Sequence, residues 1–239
     1  MRSARYGYLL GLALGLMCVP AAITGAQTQG LGRVEEATAV FREITAIPDK
    51  TIPEFLMRDA RAIAIIPRVL KVGIVVGGEF GRGVLVLRDD DGGWGNPILI
   101  SLSGGSIGWQ IGAQSSDVVL VFRTPASIEG ILRGKLTIGV DAAAAAGPVG
   151  RRARASTDIE LKAEIFSYSR SRGFFAGLSL DGAVLQVDDQ ANAAFYGTPE
   201  VDPRKIGTLR NLDVPPAGRQ LRMTLDEYTR SLPPRGTRS

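Results

Sequence analysis

The sequence predicts an α+β domain in which N-terminal helices pack on a curved, mainly antiparallel sheet or partial barrel. Three observations carry this. Between Ile63 and Phe122 lie four short runs rich in Leu and β-branched residues: Val72–Val76, Val84–Leu87, Ile98–Leu102 and Val118–Phe122. Each has the length of a strand and is bounded by Gly, Asp, Asn or Pro. Glycine fills 12 of the 40 positions from Gly73 to Gly112, a density that no helix tolerates. The runs are continuously apolar and do not alternate, so both faces of the sheet are expected to be covered.

The chain opens on Arg2 and Arg5, an apolar run from Tyr8 to Val19, and small residues ending in Thr24-Gly25-Ala26. That order reads as a secretory signal peptide over residues 1–26. The expected location is therefore outside the cytoplasm, in the periplasm or associated with an outer membrane. Cys18 is the only cysteine, so cleavage after Ala26 leaves no disulfide and no thiolate chemistry.

Val34, Ala37, Phe41 and Ile44 recur at helical spacing, with Glu35, Glu36, Arg42 and Glu43 on the polar side. Thr51-Ile52-Pro53-Glu54 reads as a capping box for a second, short helix through Ala60, and Pro67 as the entry to the sheet. Gly77, Gly78, Gly81 and Gly83 are expected to form a hairpin turn, with positive φ at one or more of them. Asp89 to Gly93 reads as a solvated turn; its spacing lacks the alternating ligands of a calcium loop. Thr124 opens a short helix over Pro125–Arg133. A second set of strands is expected at Ile165–Tyr168, Phe174–Leu178 and Ala183–Val187, followed by a helical turn, Asn192–Tyr196, stopped by Gly197. The domain is placed at residues 27–198. Beyond it, six prolines interrupt residues 199–239, read as a basic extension in which Leu221–Leu232 is helical.

The formal net charge is +4. Residues 204–239 carry eight basic and three acidic side chains, so the body of the chain is net acidic, which argues against a nucleic-acid-coating domain. No histidine occurs anywhere. Gly104-Gly105-Ser106-Ile107-Gly108 fits the G-x-S-x-G pattern of hydrolases, but Ser106 has no imidazole base, and the segment reads as a turn. Gly130 to Thr137 and Gly78 to Gly83 imitate phosphate loops and also read as turns. The same absences remove the usual zinc, haem and iron–sulfur sites. No enzyme activity, metal or cofactor is expected.

Arginine remains. Gly147-Pro148-Val149-Gly150 leads into Arg151, Arg152 and Arg154, and Tyr168-Ser169-Arg170-Ser171-Arg172 follows. Guanidinium forks suit phosphate oxygens, and Gly147 and Gly150 would let the loop backbone approach one. With Lys135 as a weaker member, these residues are the candidate headgroup site. A solvated arginine-rich face is the competing reading, and composition does not choose between them.

The run from Val72 through Glu79 to Val84 resembles the SYLF domain family. So do Trp94 and Pro97, Gly108-Trp109-Gln110, Ala146 to Gly150, Tyr168 to Gly173 and Phe195-Tyr196-Gly197. The likeness runs in order from Arg33 to Gly197 and suggests an exported bacterial branch. It implies a non-enzymatic module that binds anionic phospholipids, phosphoinositides among them, at a membrane surface. It also implies a possible structural or protein-interaction role, since some eukaryotic members bind and bundle actin. In those members lipid binding is credited to a basic amphipathic segment at the start of the domain. Here that segment carries Glu35, Glu36 and Glu43 against Arg33 and Arg42.

Overall fold

The computed structural model of the chain describes residues 19–46, 52–73, 76–107, 112–149, 162–171, 174–177, 180–198, 202–208 and 212–232. Helix α1 (Val19–Thr45) and the short α2 (Glu54–Asp59) precede four long strands: β1 (Ala62–Gly73), β2 (Val76–Arg88), β3 (Trp94–Ile107) and β4 (Gly112–Phe122). Helix α3 (Pro125–Leu132) leads to β5 (Lys135–Thr137) and β6 (Ala144–Ala146). Strands β7 (Ile165–Ser171), β8 (Phe174–Gly177) and β9 (Val184–Val187) complete the sheet. Helices α4 (Asp189–Tyr196), α5 (Pro203–Thr208) and α6 (Pro216–Ser231) end the chain.

The strands form one sheet in the order β5-β9-β3-β2-β1-β4-β7-β6, with β8 paired to β7. Among the named strands, only β6 and β7 pair in parallel. Helix α3 touches β4 and also β5 and β9, although β1, β2 and β3 stand between β4 and β9 in the sheet. That contact requires the sheet to curl around α3, whose Ile128 and Ile131 are buried. The expected α+β architecture with a curved sheet is the one found.

Ala62–Ile66, Val84–Val86, Ile98–Ile100 and Val118–Phe122 are fully buried at every position, so both faces are covered there, as continuous apolar runs require. Val34, Ala37, Phe41 and Ile44 of α1 face this core. Helix α3 is capped by Thr124, whose hydroxyl accepts from Ser127 N–H. Helix α4 stops at Gly197, as the sequence predicts, on a left-handed cap at φ 66°. The capping box at α2 is not found: the N-cap is Pro53, without a side-chain hydrogen bond, and Thr51 lies outside the described residues.

The start of the sheet also differs from expectation. Val72–Val76 is not a strand; it holds the end of β1 and the beginning of β2. The apolar run Ile63–Val69 supplies β1 instead, and Pro67 lies inside that strand. The reason is a bulge. Ile65 pairs with Val84 and Leu70 with Phe80, so β1 spends one residue more than β2 over this stretch, and it does the same against β4. Pro67 is tolerated because a bulge does not need its missing N–H. Gly77, Gly78, Gly81 and Gly83 lie within β2 and have no positive φ; the left-handed residue is Arg68 of the bulge, at φ 51°. Gly104 and Ser106 belong to β3, where Ser106 pairs with Gly77, so residues 104–107 of the G-x-S-x-G stretch are strand and not turn.

Candidate functional site at the distal end of the sheet

The bulge divides the central strands into two halves of different character. Toward Ala62, all side chains are buried. Toward Gly73, the face that carries Ile63 and Ile65 goes on to carry Leu70 and Val72, with Phe80 opposite Leu70 on β2. These three are 45%, 51% and 49% exposed. Large apolar side chains half in water on one hairpin form a patch, which isolated exposed residues do not.

Helix α1 sets the boundary of the patch by crossing the strands. Its Glu43 pairs with Arg170 on β7, its Glu36 with Arg68 on β1 at 2.5 Å, and its Arg33 with Asp188, just after β9, at 3.0 Å. At Gly30 the helix lies so close to Phe195 and Leu99 that an added Cβ would sit 3.2 Å from the Phe195 ring. A groove of about 470 Å³ runs between this helix and the distal hairpin, lined by Gln29, Gly32, Glu36, Leu70, Phe80 and Arg82 among others. Arg82 has no ion-pair partner among the described residues, and its guanidinium lies 5.5 Å from the Phe80 ring centre, a cation–π arrangement.

Two features hold the bulge in place. The N–H of Arg68 donates to Asp117 Oδ1 at 3.1 Å, which offsets part of the strain of a left-handed arginine. On β2, Gly81 and Gly83 leave room for it: a Cβ on Gly83 would lie 2.2 Å from the Ile65 carbonyl oxygen. On the opposite face of the hairpin, Glu79 is buried and its Oε2 stands 2.8 Å from Lys71 Nζ. That contact is electrostatic, without a well-aligned hydrogen bond.

Of the residues singled out in the sequence, Arg151, Arg152, Arg154 and Arg172 lie outside the described residues. Arg170 is placed in β7, bound to Glu43 and 3.9 Å from Asp117. Lys135 opens β5, exposed, and is separated from β7 in strand order by β9, β3, β2, β1 and β4. The two arginine-bearing segments do begin side by side. Strand β6 pairs with β7, Gly147 N–H donates to the Ser167 carbonyl at 2.9 Å, and Tyr168 Oη donates to the Pro148 carbonyl at 3.5 Å. Gly147 gives its space to the Tyr168 ring, where a Cβ would come within 2.1 Å of Cζ. Burial pushes the Tyr168 hydroxyl pKa far upward. Farther along β7, the Ser171 hydroxyl donates to the Ser115 carbonyl, and Ser115 pairs with Leu70. Strand β7 therefore ends, at Ser171, beside the β4 residue that pairs with Leu70 of the apolar patch. Sequence reading missed Leu70, Phe80 and Arg82, because a strand buried on both faces and one with an exposed end spell the same apolar run.

The fold is an α+β domain built on a nine-stranded curled sheet, with a helix laid across it and an apolar, arginine-edged tip. The profile of the Ysc84 family, described as "Las17-binding protein actin regulator", matches residues 103–228, and the chain belongs to this Ysc84, or SYLF, family. It is 35% identical over 168 residues to the SH3 domain-containing YSC84-like protein 1 of Homo sapiens, covering 68% of this chain and 49% of that protein. It is 30% identical over 200 residues to the Xenopus laevis protein of the same name, covering 81% and 59%. To the Saccharomyces cerevisiae protein YSC84 it is 34% identical over 152 residues, covering 62% and 32%. The chain thus spans about half the length, or less, of most of these relatives.

Proposed function

We propose that this domain binds anionic phospholipid headgroups at a membrane surface and does no chemistry there. One observation carries the reading: Leu70, Val72 and Phe80 are exposed together at the distal end of the sheet, with Arg68 and Arg82 beside them. Apolar side chains that enter the acyl boundary and cations that meet phosphates are the two parts of peripheral binding. Among the described residues no helix is long and apolar enough to cross a membrane, so attachment at a surface is the form proposed. Arg151, Arg152, Arg154 and Arg172 are proposed to add headgroup contacts from the segments that flank β7 in the chain. With the export expected of residues 1–26, the target lipid proposed is one of the cell envelope.

The test is vesicle co-sedimentation of the chain lacking residues 1–26, with Leu70→Ser/Phe80→Ser and Arg151→Glu/Arg152→Glu/Arg154→Glu beside the parent. Each half-exposed aromatic or aliphatic side chain hides on the order of 50–100 Å² on insertion, or roughly 1–2.5 kcal/mol, so the double serine variant should bind at least about tenfold more weakly. Binding to anionic vesicles should also fall with salt, since exposed charges are screened over roughly 8 Å at physiological ionic strength. Equal binding to neutral and anionic vesicles, or an unaffected serine variant, would refute the reading. A second reading, protein interaction, rests on the family's description as an actin regulator; co-sedimentation with filaments in the absence of lipid is its direct test.

A further inference from the structure

At the end of the sheet opposite the apolar tip, arginine closes each of three neighbouring strands. Arg88 ends β2, Arg61 precedes β1, and Arg123 follows β4. They are bonded across the ladder: Arg88 N–H donates to the Arg61 carbonyl at 2.9 Å, and Arg61 N–H to the Phe122 carbonyl at 2.8 Å. Strands in a sheet lie about 4.8 Å apart, so three guanidinium stems start from adjacent positions, where like charges destabilise the pairing. Arg58 of α2 joins them around a cleft of about 450 Å³ that also holds Asp59, Asp89 and Asp90. Four arginines against three aspartates leave the cleft net positive in a body that is otherwise acidic.

The four arginines do not serve alike. Arg88 is a strut. Its guanidinium donates to the carbonyls of Met57, Arg58 and Gly92 and stacks 5.4 Å from the Trp94 ring centre. Burial lowers its pKa, and the charge of Arg61 lowers it further. Arg123 lies over the Phe166 ring at 5.9 Å, a cation–π arrangement. The Arg61 side chain is exposed and has no hydrogen bond or ion pair among the described residues. A row of like charges on paired strands, with its central member free among the described residues, breaks a local rule of sheet pairing. Such breaks mark functional sites.

We propose that Arg61 and Arg123, with Arg58 beside them, form a site for a compact dianionic oxyanion, either free phosphate or a phosphomonoester group. Two guanidinium forks lining one cleft suit the bidentate geometry of phosphate oxygens. The flanking aspartates favour a small anion, because an extended polyanion would run against them. The site lies roughly 30–35 Å along β1 from Leu70 and Val72 of the apolar tip, and it stands or falls independently of the membrane reading.

The experiment titrates inorganic phosphate into the folded protein at constant ionic strength, with chloride as the control, and follows the arginine side-chain N–H signals by NMR. Phosphate should move the Arg61 and Arg123 signals saturably where chloride does not, and Arg61→Gln should weaken binding at least about tenfold. Arg61→Lys keeps the charge but loses the fork, and its affinity should fall between those of the parent and Arg61→Gln. Vesicles containing phosphatidic acid, compared with phosphatidylglycerol, separate the sources. Preference for phosphatidic acid that is lost in Arg61→Gln assigns the group to a lipid, and phosphate binding without such preference assigns it to a soluble ligand. The proposal is overturned if phosphate and chloride act alike, or if Arg61→Gln binds phosphate as the parent does. Arg61 is exposed, so its replacements test the site without threatening the fold.

Discussion

Replacing Gly83 with alanine should be among the most damaging single-methyl changes in this protein, while the same change at Gly78 should be nearly harmless. Both glycines lie in β2, five residues apart, and neither has a positive φ, so conformational freedom does not distinguish them. Space does. A Cβ on Gly83 would stand 2.2 Å from the Ile65 carbonyl oxygen and 2.7 Å from Ile66 Cα. Those are backbone atoms of the strand that bulges at Pro67 and Arg68, and they cannot swing aside as the end of a side chain can. The methyl must push β1 away from β2 at its most buried stretch, at the upper end of the usual cost of overpacking, about 3 kcal/mol. At Gly78 the nearest atom is the Gly104 carbonyl oxygen at 3.9 Å. There alanine only stiffens an extended strand and should be neutral or stabilising by up to about 0.5 kcal/mol. For a chain of this size, about 3 kcal/mol corresponds to a fall in Tm of roughly 6–12 °C. Chemical denaturation of the two variants beside the parent measures the difference. If Gly83→Ala melts within a degree or two of Gly78→Ala, the close approach at the bulge does not exist and the assigned β1–β2 register is wrong.

Tyr196 donates to the Pro97 carbonyl at 2.6 Å in a buried setting, and burial pushes its pKa well above the ordinary tyrosine value, as it does for Tyr168. The folded state keeps these hydroxyls protonated while the unfolded chain loses their protons above pH 10, so stability is full below pH 10 and declines as pH rises past it. Tyr196→Phe should cost about 1–2 kcal/mol at pH 7 and should lose less Tm than the parent between pH 8 and 11; an equal alkaline loss would dismiss Tyr196 as a source. Arg170→Gln breaks the pairs with Glu43 and Asp117 that tie α1 to β7 and β4. The pairs are partly exposed, so a loss of about 1 kcal/mol is expected by denaturant melting, and a double-mutant cycle with Glu43→Gln should show coupling of the same sign.

The elements that were legible in the sequence are those whose signal is local. Thr124 ahead of Pro125, Gly197 after Tyr196 and the turn at Asp89–Gly93 each announce themselves within a few residues, and the structure has them at those positions. Strand β1 was not legible, because its apolar run contains a proline. Only the neighbours on both sides show that Pro67 occupies a bulge in which its missing N–H costs nothing. The glycines of β2 suggest a turn for a related reason. Their small size serves a contact with Ile65, Ile66 and Val69, which are distant enough in the chain that spacing within β2 carries no trace of them. Among candidate site residues, the sequence shows where arginines cluster along the chain but not across strands. Arg61, Arg88 and Arg123 are scattered over 63 positions and meet only in the sheet. The apolar tip was hidden too, since Leu70, Val72 and Phe80 differ from core residues only in what the fold fails to place over them.

Helix α1 joins the question of export to the question of stability. It runs without a break from Val19 to Thr45, so the expected cleavage after Ala26 falls inside it. Cutting a helix would be ruinous if the removed turns held the core, but the burial pattern shows where the core contacts begin. Gly25, Gln27, Thr28 and Gln29 are exposed, and Gly30, against Phe195 and Leu99, is the first buried position among the described residues. Val34, Ala37, Phe41 and Ile44 follow, together with the pairs from Arg33, Glu36 and Glu43. A chain that starts at Gln27 keeps all of these and still presents five turns of helix, with its stability coming from tertiary packing and not from length. Removing residues 1–26 should therefore change the unfolding free energy by less than about 1 kcal/mol, a Tm shift of no more than roughly 4 °C. Starting instead at Val34 would remove Gly30 and the Arg33–Asp188 pair and should cost several times as much. Circular dichroism melts of the two truncated chains decide the matter. If the chain from Gln27 is already as unstable as the one from Val34, the first turns of α1 belong to the folded domain and cleavage after Ala26 is not compatible with it.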